Sequence, residues 1–297
     1  MMISIDPQSI PVAKIHGYLL GAVAPRPIAL VSTLDLDGKD NLSPFSFFNV
    51  FSANPPIAIF SPARRGRDNT TKHTYENVKV HSECVINIVN YDMVQQMSLS
   101  STEYPKGVSE FVKSGLTAVS SVLVKPKRVL ESPVQLECKV KEIVELGNQG
   151  GAGNLVICEI VQIHIAENVL DGNGRIDPYL IDQVARMGGD WYSRARAGMF
   201  EVPKPLERCG IGVDQLPSDI RFSKVLTGNH LGMLGNTEII PNETDVNEYK
   251  LTELADLFLE LESDASALEK ALHQRAALLL DENKLNEAWM TLLAFNG

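Results

Sequence analysis

Arg64, Arg65, Arg67, Lys72 and His73 lie within one short stretch, opposed only by Asp68 and interleaved with Thr70, Thr71 and Thr74. Guanidinium and ammonium groups flanked by hydroxyls are the chemistry of phosphate recognition, where charge-assisted, bidentate donors meet an oxyanion. The cluster stands out because the whole chain carries a formal net charge of -10. Just upstream, Asn41-Leu42-Ser43-Pro44-Phe45-Ser46-Phe47-Phe48-Asn49 mixes polar and aromatic residues, a pattern that can hold a flat ring. The two stretches together point to a phosphorylated aromatic ligand.

Ser61, Arg64, Lys72 and Thr74 are the predicted phosphate contacts, with Thr74 as the N-cap of a helix whose first N–H groups face the anion. Arg65 and Arg67 read as solvated loop charges. Strand alternation sets Phe45 and Phe47 on the face opposite Phe48, so only one of those faces can meet a ring, the other reading being that all three fill a core. Backbone groups beside Pro44 and Ser46 are free for a ring's polar edge, because proline interrupts ladder pairing.

These residues need strands to carry them, and the first 200 residues supply the signals. Pro27 to Thr33 is a buried apolar run, Asp37-Gly38 marks a hairpin, and Leu42 to Phe51 returns as its partner. Ile57 to Phe60 and Val85 to Val89 are further strands, and Asp92 and Ser109 read as caps of short helices. Leu136, Cys138 and Val140 alternate with Gln135, Glu137, Lys139 and Lys141, predicting one buried and one wet face. Gly150-Gly151-Ala152-Gly153 lies between two strand patterns, so it reads as a hairpin loop and not as a phosphate loop. Strands without βαβ alternation or a G-x-G-x-x-G motif argue for an antiparallel barrel over a dinucleotide-binding crevice.

Beyond residue 200 the texture changes. Pro203-Lys204-Pro205 reads as a stiff linker, Leu251 to Leu272 as a helix with a Leu254, Leu257, Phe258, Leu261, Ala265, Leu268 stripe, and Glu287 to Phe295 as a second helical segment. The domain reading is therefore residues 1–200, mainly β with added helices, and a mostly helical extension over 201–297.

A sequence pI near 5.1 argues against nucleic-acid binding. The N-terminus has no secretory pattern and no long apolar run predicts a membrane span, which points to the cytoplasm. Cys84, Cys138, Cys158 and Cys209 read as buried, reduced thiols, and neither they nor the histidines show metal-ligand spacing.

Three stretches give the chain a family likeness: Pro25-Arg26-Pro27 through Thr33 and Asp37-Gly38 into Asn49; Asn54-Pro55-Pro56 with Phe60-Ser61 and the cluster to Thr74; and Arg186-Met187-Gly188-Gly189-Asp190-Trp191-Tyr192. The chain resembles the flavin reductase-like, FMN-binding split-barrel proteins, including their flavoredoxin-like branch, over roughly residues 15 to 200. The resemblance implies an antiparallel split β-barrel that binds FMN as a homodimer, and an NAD(P)H-dependent oxidoreductase. It places Thr33, Pro44, Ser46, Phe47, Phe48, Asn49, Ser61, Arg64, Lys72, Thr74 and Tyr192 in the cofactor site. His73 stands where the family often carries aspartate, which adds positive charge. No residue is expected to act as a catalytic acid, base or nucleophile, since hydride transfer asks the protein for positioning and exclusion of water. The other readings are an FMN electron carrier reduced by a partner protein, and a non-catalytic module that binds a phosphorylated ligand.

Overall fold

The apolar run after Pro27 forms strand β1 (Ala29–Leu34), buried on both faces, which explains why it reads as continuous and not as alternating. The computed structural model describes residues 1–203 and 209–295. The chain divides into two units, Met1–Phe200 and Glu201–Gly297.

In the first unit β1 is followed by β2 (Asp40–Phe45), β3 (Phe48–Ala53), β4 (Pro56–Phe60), β5 (Glu83–Ile88), the short β6 (Ala118–Val119) and β7 (Arg128–Val129), the long β8 (Val134–Glu145) and β9 (Asn154–Ile165), and β10 (Val184–Arg186) and β11 (Tyr192–Arg194). Its helices are α1 (Val12–Ala22), α2 (His73–His81), α3 (Val94–Leu99), α4 (Glu110–Ser114) and α5 (Pro178–Ile181). Seven strands make one antiparallel sheet in the order β2-β1-β5-β8-β9-β4-β3. Ala29, Val31, Phe45, Phe60, Ile86, Leu136 and Val156 face one core, so the sheet wraps around it. Ile28, Leu30 and Leu42 face a second core with Met93, Met97 and Phe111, supplied by α3, α4 and the turn before α3.

The edge strands β2 and β3 are consecutive in the chain but do not pair with each other. The predicted single strand from Leu42 to Phe51 is therefore two, broken at Ser46-Phe47. The physical reason is that β2 pairs with β1 and β3 with β4, at opposite edges of the sheet, and one straight strand cannot serve both.

Other expectations are corrected as well. Asp92 does not cap α3, which starts at Val94 with Met93 at its N-cap and no side-chain cap bond. Gln135 and Glu137 are buried, because the loop before β7 covers Glu137 while β7 and the turn after it cover Gln135. Cys84, Cys138 and Cys158 are buried, but Cys209 is exposed, in a stretch outside any helix or strand.

The second unit holds α6 (Ser218–Arg221), α7 (Gly228–Gly235), α8 (Glu243–Glu253), α9 (Ala255–Glu260), α10 (Ala265–Asp281) and α11 (Leu285–Leu293). The helix predicted over Leu251–Leu272 is broken into parts of three. One break is local chemistry: Asp264 accepts the Ala267 N–H at 2.9 Å and starts α10 afresh. Leu254, Leu257, Phe258, Leu261 and Leu268 still pack in one cluster. Lys204 and Pro205 of the predicted linker lie outside the described residues. Among the described residues no helix is long and apolar enough to cross a membrane.

Candidate functional site

The cationic run leaves β4 at Ser61 and enters α2 at His73, and it is knitted largely by its own side chains. Arg64 donates from Nε to Asn69 Oδ1 and from its terminal nitrogen to the Asn69 carbonyl, each at 2.7 Å. Arg65 donates to Thr70 Oγ1 at 2.9 Å and to the Thr71 carbonyl at 2.5 Å. The β8–β9 loop braces the run from outside. Arg64 N–H donates to the Ala152 carbonyl at 2.9 Å, and Gly151 N–H to the Arg64 carbonyl at 3.0 Å. A side chain at Gly153 would come within 2.9 Å of Ser61 Oγ, so the close approach requires glycine there. The glycine-rich stretch is a hairpin loop, as its flanking strands predict, and it also positions the cations.

Two adjoining hollows open beside β2. The first is cationic, lined by Asn41, Ser43, Arg65, Lys72, His73 and Thr74, and on its far wall by Ser100 to Glu103 and Glu110. The second is a cavity of about 320 Å³ walled by Ile28, Pro44, Phe45, Met97, Arg186 and Tyr192, with the hydroxyls of Ser46, Ser98 and Ser101. Ser101 borders both, so they are neighbours along the sheet edge.

Of the predicted residues, Lys72 and Thr74 line the cationic end, while Pro44, Ser46 and Tyr192 line the larger cavity. Thr33, Phe47, Phe48, Asn49, Ser61 and Arg64 line neither. Thr33 and Thr74 are each only 1% exposed. Both hydroxyls accept from Asn41 Nδ2, at 3.2 and 3.0 Å, and Thr33 also accepts from Asn77 Nδ2 at 2.9 Å. This network ties β1, β2 and α2 together. Thr74 is thus not the N-cap of α2; Lys72 is, and no side chain caps that end. Ser61 Oγ accepts the Asn154 N–H at 3.1 Å. Phe45 packs on Phe60 with ring centroids 5.4 Å apart, and Phe47 meets His16 edge-on at 6.2 Å. Phe48 packs against the barrel core, and Asn49 is exposed, accepting the Val50 N–H. The break at Ser46-Phe47 voids the alternation argument for the three phenylalanines.

Sequence reasoning missed the far wall and underrated Arg65. Glu103 accepts from Arg65 Nε at 2.9 Å, lies 3.6 Å from Lys72 Nζ, and also binds Arg67. Hydrogen bonds from Arg65 and Arg67 hold the Glu103 carboxyl below its ordinary range. Burial, then the charge of Arg65, lowers the Lys72 ammonium from its usual value. Burial also pushes the Glu110 carboxyl up, although it accepts the Leu42 N–H at 2.9 Å. The hydroxyl run Ser100-Ser101-Thr102 before Glu103 is the one signal that marked this wall.

At the other end, Arg26 bonds the carbonyls of Leu20 and Val23 at 2.6 Å and that of Met187 at 2.8 Å. Its backbone pairs with that of Arg186. This anchors Arg186, whose guanidinium lies 4.6 Å above the Tyr192 ring. The larger cavity is lined by apolar surface, hydroxyls, one arginine and the exposed Asp190, with no histidine or cysteine among the described residues. Such a lining suits a planar, partly polar ring, and the cationic end suits an attached anion.

A family model described as "Flavin reductase like domain" matches residues 21–184. An uncharacterised protein of Aquifex aeolicus is 36% identical over 181 residues, spanning 61% of this chain and 90% of its own. Among solved structures, nitrilotriacetate monooxygenase component B from Bacillus cereus is 28% identical with a TM-score of 0.64, over 68% of this chain and 99% of that one. The 2-nitrobenzoate 2-nitroreductase of Pseudomonas fluorescens is 26% identical with a TM-score of 0.61, over 70% and 100%. The split barrel domain of a Shewanella frigidimarina protein superposes with a TM-score of 0.58 at 27% identity, over 68% and 100%. The seven-stranded sheet is thus a split barrel.

Proposed function

This chain belongs to the flavin reductase-like family, and from that premise we propose that it is an FMN-dependent oxidoreductase that uses NAD(P)H. The observation that carries the reading is the pair of neighbouring hollows along β2, a ring-sized cavity and a cationic one, with Ser101 in the wall of both. When bound, FMN would supply the hydride-accepting redox chemistry, with the nicotinamide nucleotide as donor. Lys72 and Arg65 would hold the phosphate, helped by the uncapped N-terminus of α2. Pro44, Ser46, Phe45 and Tyr192 would hold the ring, with Met97 and Ile28 excluding water from one wall. The rest of the predicted set, Thr33, Phe47, Phe48, Asn49, Ser61 and Arg64, would act by shaping the walls, through the contacts described above.

Protein mixed with FMN and then with NADH or NADPH is expected to lose the flavin band at about 450 nm, a property of the coenzyme itself. If neither nucleotide bleaches it, the carrier reading takes over, with reduction by a partner protein. Similarity to a protein named as one component of a monooxygenase supports a redox partner in either case.

A homodimer belongs to the same proposal. Helix α1 has no buried residue, and Val12, Tyr18, Leu19 and Val23 on or beside it, with Val50 and Phe51 of β3, are exposed apolar side chains. Sedimentation of the 297-residue chain is expected to give twice its 32.6 kDa mass; a monomer at micromolar concentration would refute this part.

A further inference from the structure

The cationic hollow is narrow, with about 20 Å³ of enclosed water-accessible space against about 320 Å³ in the larger cavity. One of its walls is itself an anion. Glu103 lies on the loop between α3 and α4, beside the exposed Ser101 and Thr102, and its carboxylate bonds Arg65 and Arg67 while lying 3.6 Å from Lys72. One carboxylate thus faces three cations, on the segment that the sequence marks for phosphate.

We propose that Glu103 is a built-in competitor for the phosphate: its carboxylate stands in the anion site of the free protein and must swing out when the ligand's phosphate enters. The inference rests on the flavin reading above. It deepens that reading by describing FMN binding as an exchange of one anion for another. The geometry supports the exchange. Glu103 sits on an exposed loop with open solvent beside it, whereas Arg65 is the least exposed of the four groups and is tied to Thr70 and Thr71, and Lys72 is half-buried. Arg65 and Lys72 therefore stay and the carboxylate moves, with the exposed Arg67 free to follow it. Competition of this kind weakens retention of FMN while leaving the ring contacts untouched, as suits a flavin that is taken up and released each cycle and not held permanently. The depressed Glu103 carboxyl keeps the competitor ionised across the neutral range.

The test compares FMN with riboflavin, which has the same ring and no phosphate, in wild type, Glu103→Gln and Glu103→Ala, by titration calorimetry or quenching of flavin fluorescence. Both variants are expected to bind FMN about tenfold more tightly or better, the scale of one charge-assisted contact, with riboflavin affinity unchanged. FMN affinity that is unchanged or weaker in both variants overturns the proposal and leaves the flavin reading standing. A riboflavin gain equal to the FMN gain overturns it too, since the effect would then lie at the ring. FMN binding by none of the three proteins overturns the flavin reading, and this inference falls with it.

Discussion

Glu137→Ala is expected to lower the stability of the protein by about 3–5 kcal/mol, the usual cost of removing one partner from a buried charged network. The Glu137 side chain is 0% exposed. It accepts the N–H groups of Val122, Leu123 and Val124 at 2.7, 2.6 and 3.2 Å and bonds His164 Nε2 at 2.8 Å, with Arg128 3.9 Å away. Alanine would leave three backbone donors facing a dry space, and the loop they belong to would lose its attachment to β8. Urea unfolding would measure the loss, and a change below about 1 kcal/mol would mean that water replaces the carboxylate.

The same residue gives the protein an acid limit. Burial alone would raise the Glu137 carboxyl, and the hydrogen bonds from Val122, Leu123 and His164 outweigh it, so the group sits below the ordinary range. A depressed carboxylate contributes stability that is full above the unfolded value of about 4.3 and fades as pH falls through the folded value. Wild-type stability should therefore drop more steeply than that of Glu137→Gln as pH is lowered below about 4.3. Parallel curves for the two proteins would contradict this account.

The second large effect concerns Lys72→Ala, for which FMN affinity is expected to fall roughly 10- to 100-fold, about 1–3 kcal/mol for a charge-assisted contact. Riboflavin affinity should not change. Arg64→Ala is expected to weaken FMN as well, but with a fall in thermal stability that Lys72→Ala lacks. The reason is that the Arg64 guanidinium is committed to Asn69, a residue in the left-handed backbone region at φ 57°. If both variants keep full FMN affinity, the phosphate assignment fails.

The strands were legible because Ile28–Val31, Ile57–Phe60 and Val85–Val89 are short apolar runs set off by turn residues, and the barrel class followed from them. The cationic end was legible because its members are neighbours in the chain. Which of Arg64 and Arg65 faces the hollow was not, since adjacent residues in a loop point where their local bonds send them. Arg64 turns to Asn69, and Arg65 reaches Glu103. The far wall from Ser100 to Glu110 arrives from two helices further along, and nothing in its spacing refers back to Lys72. Gln135 and Glu137 obey the alternation rule in position and break it in environment, because the Val122–Val124 loop covers Glu137 and the segment Arg128 to Ser132 covers Gln135.

The edge strand β2 has a consequence beyond the hollows beside it. The Leu42 N–H is already taken by Glu110, and Pro44, two residues on and pointing the same way, has none to give. A stray peptide approaching this border would find acceptors without the matching donors, and could not zip on as an eighth strand. The open side of the barrel is thereby kept from templating fibrils while remaining accessible to small molecules.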